Sequence, residues 1–420
     1  MVIEKITKTR YENYLDDNLL KPLGMANSTF QFVSQKGKYA DKNLALGHFD
    51  NGEPVVAMPM YLRPAGQLTT TAEDIGKFLR FLMSDGTLNG KSFIKSELLA
   101  SVGKQKQTDA FKNGVPFGDA LGAYSRDRYG VVGIAKNGNT LGFSAMIYLF
   151  PKEKKAFFIA HNMDSETANY DLFNEKLVKH LGLITQQFST KQQNVESELY
   201  DWNGYYVPFI TMVEPFGLLD YVFSHTKVEI SANTALLIPF QGKTKPLMYQ
   251  GKNLFSMKDR TDISHGFYKS DNGNLLITDG VRTIKKISGL KILGVASSLF
   301  LGLLGLLYLL VISGRDFIKH KQNFKSKPIF WVTIPIVILL ISFVFIANQS
   351  FMNMGDKTTG NLVLALGSIT LPVFALTTLI LTIRTQKQYF KTLNFWATIF
   401  VIQFCILLFL NKIMPIIMWN

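Results

Sequence analysis

Lys136-Asn137-Gly138-Asn139 lies in a polar segment, 135–143, ahead of two apolar runs at 144–150 and 156–160. Between the runs is the charged stretch Lys152-Glu153-Lys154-Lys155. A fixed cation, a glycine that admits a ligand to the main chain and a following N–H are parts that acyl transfer uses beside a nucleophile and its base. Serine nucleophiles with a lysine base have two candidates, Ser92-Phe93-Ile94-Lys95 and Ser101-Val102-Gly103-Lys104. About one or two such matches arise by chance in a chain this rich in both residues, so the spacing alone is weak. Tyr11-Glu12-Asn13 falls inside a surface-helix pattern. His161 ends an apolar run with no partner motif nearby and reads as structural. Arg63, Pro64 and Gly66 suit a tight turn, and Asp74 suits a helix cap.

The elements that must position these groups follow from periodicity. Segment 135–143 reads as a turn leading into strands 144–150 and 156–160. Apolar Tyr11, Tyr14, Leu15 and Leu19 predict a helix over 11–20 that stops before Pro22. Thr71 is a plausible N-cap for a helix lined by Ile75, Phe78, Leu79 and Leu82, with Asp74 three residues on and facing back toward it. A short helix is expected at 96–102. A longer helix is expected at 169–181, with Gly182 just past its end. Residues 186–200 read as a polar linker. Residues 201–287 read as a small all-β domain with runs at 205–207, 227–230, 236–238 and 275–277 and a hairpin turn at Asp271-Asn272-Gly273-Asn274. Stretches 289–313, 329–347, 360–383 and 394–416 are each long and apolar enough to span a bilayer.

The formal net charge is +14, and many of these charges lie in short loops beside the apolar stretches rather than in a basic–aromatic nucleic-acid surface. Nucleic acid is therefore excluded as a partner and the membrane bilayer favoured. Cys405 is the single cysteine, so no internal disulfide forms. The six histidines show no ligand spacing. No metal and no cofactor are expected. Met1–Lys5 lead into no apolar signal core. Arg315, Lys319, Lys321, Lys325 and Lys327 follow the first apolar stretch, and Arg384, Lys387 and Lys391 the third. The positive-inside rule puts both loops in the cytoplasm and residues 1–288 outside it.

Lys136-x-Gly138 at the mouth of a hairpin resembles the third motif of penicillin-binding proteins and serine β-lactamases. Further blocks carry the resemblance, to class C β-lactamase-related serine hydrolases, over residues 1 to about 185. They are Ile3-Glu4-Lys5, Tyr11-Glu12-Asn13-Tyr14-Leu15, the run from Pro22 to Phe30, Arg63-Pro64-Ala65-Gly66-Gln67-Leu68 and Thr71-Ala72-Glu73-Asp74-Ile75. Each block is weak alone; their common order is what makes the match specific. The resemblance implies an α+β fold: residues 1–185 as part of a β-lactamase/transpeptidase-like domain with an antiparallel sheet and helices, the linker, the β domain at 201–287, and a four-helix transmembrane region at 288–420.

It also implies roles. Lys136 would stand beside the nucleophile and the substrate carboxylate, Asn137 where many members have Thr or Ser, Gly138 against the substrate, and the Asn139 N–H as an oxyanion donor. In that family the Ser-x-x-Lys nucleophile and Tyr-x-Asn precede the Ile-Glu-Lys helix at which this sequence opens. The expectation is a membrane-anchored hydrolase of peptidoglycan-like or β-lactam-like amides and esters, with little or no turnover by this chain. Strand 156–162 is expected at a sheet edge. Two further expectations are open: a non-catalytic membrane protein binding a partner or cell-wall ligand, and association with a separately encoded N-terminal half.

Overall fold

The computed structural model describes residues 2–58, 65–163, 165, 168–186, 193–211, 217–349 and 355–419. Arg63, Pro64 and residues 187–192 of the expected linker lie outside the described residues. The chain forms two compact units. One comprises Met1–Asp201, Ile230–Leu236 and Lys245–Thr283; the other comprises Trp202–Glu229, Leu237–Thr244 and Ile284–Asn420.

The first unit is built on an antiparallel sheet whose strands lie in chain order: β1 (Gly118–Asp119), β2 (Tyr124–Arg128), β3 (Val131–Thr140), β4 (Phe143–Phe150) and β5 (Lys155–His161). Alternate side chains of a strand point to opposite faces. Ile134, Ile147, Leu149, Ala156 and Phe158 meet Ile75 and Leu79 of helix α1 (Ala72–Leu82). On the other face Ala135, Met146, Tyr148, Phe150 and Phe157 meet Val178 of helix α2 (Tyr170–His180). Among the described residues β5 pairs only with β4 and forms one edge of the sheet.

The helix termini follow their capping residues. Thr71 accepts the Asp74 N–H at 3.3 Å, and Asn169 accepts that of Leu172 at 3.0 Å. Gly182, with φ +60°, closes α2. The Asp74 carboxylate does not turn back to Thr71. It is fully buried and accepts from the Asn27 N–H at 2.8 Å, the Ser28 hydroxyl at 2.9 Å and Lys77 Nζ at 2.8 Å. Burial would raise this carboxyl. The hydrogen bonds from Lys77, Ser28 and Asn27, with the Lys77 charge, hold it below the usual carboxylate range.

The helix expected over 11–20 is α-helical only over Tyr11–Leu15 and widens into a π turn over Asp16–Leu20. From that turn Asp16 accepts from the Phe30 N–H at 2.7 Å and the Thr29 hydroxyl at 2.6 Å, a long-range pair of contacts that periodicity does not encode. Glu12, expected on a surface, is buried, with Arg10 Nε 3.5 Å away.

Eight short strands close a barrel: β6 (Gly204–Pro208), β7 (Thr226–Ile230), β8 (Thr234–Pro239), β9 (Lys245–Tyr249), β10 (Leu254–Ser256), β11 (His265–Lys269), β12 (Leu275–Thr278) and β13 (Thr283–Ile287). The units divide its strands between them. Within the first unit, Tyr249, Phe255 and Phe267 stack in sequence at 5.2 and 4.4 Å between ring centres. The Ser270–Asn274 hairpin is present, closed by Ser270 N–H to Asn274 O at 2.9 Å.

The second unit carries helices α4 (Gly289–Lys319), α5 (Ile329–Asn348), α6 (Thr359–Thr385) and α7 (Leu393–Leu410), with a short α3 (Gly217–Phe223). All four long helices have the length and apolar composition to cross a membrane. α7 stops at Leu410 rather than 416, because Lys412 is left-handed and Pro415 follows. Small residues and hydrogen bonds hold the bundle, as in apolar surroundings. A Cβ at Gly302 would come 2.4 Å from that of Phe404. Tyr308 donates to Asn394 Oδ1 at 2.9 Å, Thr333 to Ser313 at 2.7 Å and Gln403 Nε2 to the Ser298 carbonyl at 2.8 Å. Cys405 is buried among these helices.

Candidate functional site

Residues 135–140, expected as a turn, are strand. Lys136 pairs with Ile147, Asn137 with Met146, Gly138 with Ala145 and Asn139 with Ser144. The turn itself is confined to Leu141-Gly142. The long partner β4 imposes this extended conformation on a sequence whose Asn and Gly content locally favours turns.

On its other flank β3 is less covered. β2 runs alongside β3 only from Arg128 opposite Val131 to Tyr124 opposite Ala135. Beyond that point the chain folds back through Ala120–Ala123, where Ala120 N–H meets Ala123 O at 3.0 Å. Among the described residues, no strand therefore flanks 136–140 on this side. The four predicted residues share this open margin. Their side chains do not share a face. Lys136 follows Ile134 in strand parity onto the α1 face, whereas Asn137 and Asn139 share the α2 face with Ala135.

An open cavity of about 750 Å³ lies on that α2 face, lined by Phe49, Tyr124, Arg126, Asn137, Asn139, Met146, Ile159, His161 and Tyr170, among others. Arg126 Nη2 meets Asp171 Oδ1 at 2.8 Å, and the Tyr129 hydroxyl donates to the same oxygen at 2.7 Å. Burial, then the bond to Asp171, pushes Tyr129 up to about 12. His161 packs against Tyr170 and Phe173 at 5.3 and 5.4 Å between ring centres, so its place is an aromatic cluster rather than a catalytic pair. Apart from Asn137, Asn139 and His161, these groups are not singled out by the sequence. They belong to strand and helix positions that meet only in the fold.

The two serine candidates are not equipped as nucleophiles. Ser92 is exposed on a two-residue strand, Lys91–Ser92. Ser101 lies closer to β3 than its sequence position implies, because a Cβ at Gly103 would fall 2.4 Å from Ile134 Cγ2. Its hydroxyl is nevertheless committed to the Leu98 carbonyl at 2.6 Å. Among the described residues, neither serine hydroxyl is hydrogen-bonded to a lysine side chain. No group of three His, Cys, Asp or Glu able to hold a metal occurs among them.

The first unit is also joined tightly to its share of the barrel. Asp119 N–H donates to Gly280 O at 3.0 Å, and Asp127 Oδ2 accepts from the Thr261 and Asp262 N–H groups at 2.8 and 3.2 Å. A Cβ at Gly280 would lie 1.8 Å from Phe117 O, and one at Gly118 would lie 2.1 Å from Gly280 O.

Comparison with known proteins places this architecture. A sequence model described as Beta-lactamase matches residues 1–179. Those residues belong to the β-lactamase-related family. Protein flp of Staphylococcus aureus (strain MW2) is 28% identical over 229 residues, which are 53% of this chain and 42% of that protein. The chain thus spans about two fifths of the length of that relative. Beta-lactamase-like protein 1 of Dictyostelium discoideum is 38% identical over 88 residues, 20% of this chain and 13% of that protein. A solved class C β-lactamase is 20% identical, with a TM-score of 0.36 over 43% of this chain and 54% of its own. In this β-lactamase-related segment Lys136, Asn137, Gly138 and Asn139 occupy the strand with the uncovered margin.

Proposed function

We propose that this chain is a membrane-anchored serine hydrolase of the β-lactamase-related type. It would act through an acyl-enzyme on amide or ester bonds of peptidoglycan-like or β-lactam-like substrates, with β3 supplying one wall of the cleft. The observation that carries the reading is that, among the described residues, β2 stops opposite Ala135 and no strand runs beside 136–138, which offers main-chain groups and a lysine to an extended ligand. Lys136 attracts the ligand carboxylate and the nucleophile, Gly138 admits the ligand to the backbone, and the Asn139 N–H supports the developing oxyanion. Asn137 contributes backbone, since its side chain lines the opposite face. Residues 1–288 lie outside the cytoplasm in this reading, because the basic loops lie within it.

In this reading the Ser-x-x-Lys nucleophile and Tyr-x-Asn are supplied by residues other than those described, from the same or a second polypeptide, packed beside β5. A second reading is favoured by the commitment of Ser101 and the isolation of Ser92: a non-catalytic module that binds a cell-wall ligand or partner at the same margin. The purified chain, treated with a fluorophosphonate and separately with a penicillin, is expected to show no adduct by intact-mass spectrometry. An adduct on one serine would make the chain an enzyme unaided. Lys136→Ala is expected to weaken binding of a peptide ending in a free carboxylate about tenfold, the loss of one charge-assisted hydrogen bond. Unchanged affinity by calorimetry would remove β3 from ligand binding in both readings.

A further inference from the structure

The bundle has one strongly charged end. The loop between α4 and α5 and the loop between α6 and α7, with their flanking helix turns, hold Arg315, Lys319, Lys321, Lys325, Lys327, Arg384, Lys387 and Lys391 against one acid, Asp316. That acid is satisfied locally: Lys327 is 2.9 Å from it and Arg315 3.5 Å. The other six cations have no ion-pair partner among the described residues.

Both loops are built alike. Each contains one 3₁₀ turn, Phe324–Ser326 and Tyr389–Lys391. Phe324 is buried edge-on to Phe317 and Phe330, both at 5.7 Å. Tyr389 packs on Phe395 at 5.0 Å, and Trp396 Nε1 donates to the Phe390 carbonyl at 2.9 Å. Lys325 and Lys391 are exposed beside these anchors. Trp331, in the first turn of α5, stacks on Phe374 at 5.8 Å. Amphipathic Tyr and Trp rings favour the depth of lipid headgroups, so Tyr389, Trp396 and Trp331 hold the adjacent cations at the level of the phosphates. The loop between α5 and α6 carries Lys357 beside Asp356 and offers no such field.

We propose that this end of the bundle is a binding surface for anionic phospholipid headgroups, whose phosphodiesters are engaged by Lys319, Lys321, Lys325, Lys387, Lys391 and Arg384. Charge complementarity selects the occupant. A bilayer supplies many phosphates at one fixed depth, matching six cations distributed over two loops, whereas a single soluble anion meets few of them. Each cation near an anionic surface contributes about 1 kcal/mol, or roughly fivefold in affinity.

The test uses the full chain with Trp202 and Trp419 replaced by Phe, so that emission comes from Trp331 and Trp396. It is reconstituted in phosphatidylcholine containing bromo-acyl phosphatidylglycerol or, in parallel, bromo-acyl phosphatidylcholine. Quenching is expected to report about a tenfold preference for phosphatidylglycerol at low salt, falling toward unity in molar salt. Combined Lys319→Gln, Lys321→Gln, Lys325→Gln and Lys391→Gln replacement should abolish the preference, while Lys357→Gln should leave it intact. Equal quenching by the two lipids, or a preference that survives the fourfold replacement, overturns the proposal. Loss of the preference on adding inorganic phosphate at matched phosphate concentration and constant ionic strength also overturns it, because the site would then take free phosphate. None of these readouts depends on hydrolysis or on the β3 margin.

Discussion

Gly280→Ala is expected to destabilise the first unit by about 3 kcal/mol or more, combining backbone strain with an overpacked contact. The position has φ +87°, a conformation that side-chain-bearing residues rarely adopt. A methyl group there would meet the Phe117 carbonyl, which is backbone and cannot rotate aside. Relief requires β1 to retreat from the turn, and that breaks the Asp119 N–H to Gly280 O bond. Hydrogen exchange of the purified chain should therefore show lost protection at 117–119 and at the turn together. Gly273→Ala provides the control: it shares the left-handed backbone, with φ +75°, but a Cβ there meets nothing within 4 Å. If Gly280→Ala proved no worse than Gly273→Ala, the close approach of the two backbones would not exist.

Asp74→Ala should cost about 2 kcal/mol, because it takes the acceptor from a part-buried N–H and hydroxyl and removes the lysine's carboxylate. Lys77 is partly exposed and can turn to water, which keeps the loss below that of a fully buried pair. The sign with pH follows from the depressed carboxyl. Its stabilisation is fully present above the unfolded value of about 3.9 and is lost as pH falls through the lower folded value. Denaturant unfolding between pH 6 and 2 should show a smaller acid-induced decline for Asp74→Ala than for the parent chain. Parallel curves would mean that Asp74 is not ionised in the folded state.

The sequence disclosed those features that depend on neighbours along the chain. Thr71 and Asn169 cap helices, Gly182 ends one, and the four apolar stretches form helices, all from local rules. The run Leu236-Leu237-Ile238 announced a strand through its β-branched and apolar content. Lys245-Pro246-Leu247-Met248-Tyr249 did not, because its Lys and Pro obscure a strand that pairs with Leu254–Ser256. The same failure applies to 136–140, whose extended form is enforced by β4. The π turn at Asp16, the destination of the Asp74 carboxylate and the Arg126–Asp171 pair all join residues more than ten positions apart, and no period in the sequence records them. Family resemblance placed Lys136 at the mouth of a hairpin, yet it did not reveal that Asn137 and Asn139 line the opposite face.

That alternation along β3 has an evolutionary consequence. Consecutive positions answer to different surroundings, so neighbours in sequence are free to drift apart in their histories. Across homologous chains, substitutions at 136 should track changes on the α1 side of the sheet. Those at 137 and 139 should track Phe49, Tyr170 and Asn174, which line the cavity with them. Two records of selection are thereby interleaved, residue by residue, in a single strand.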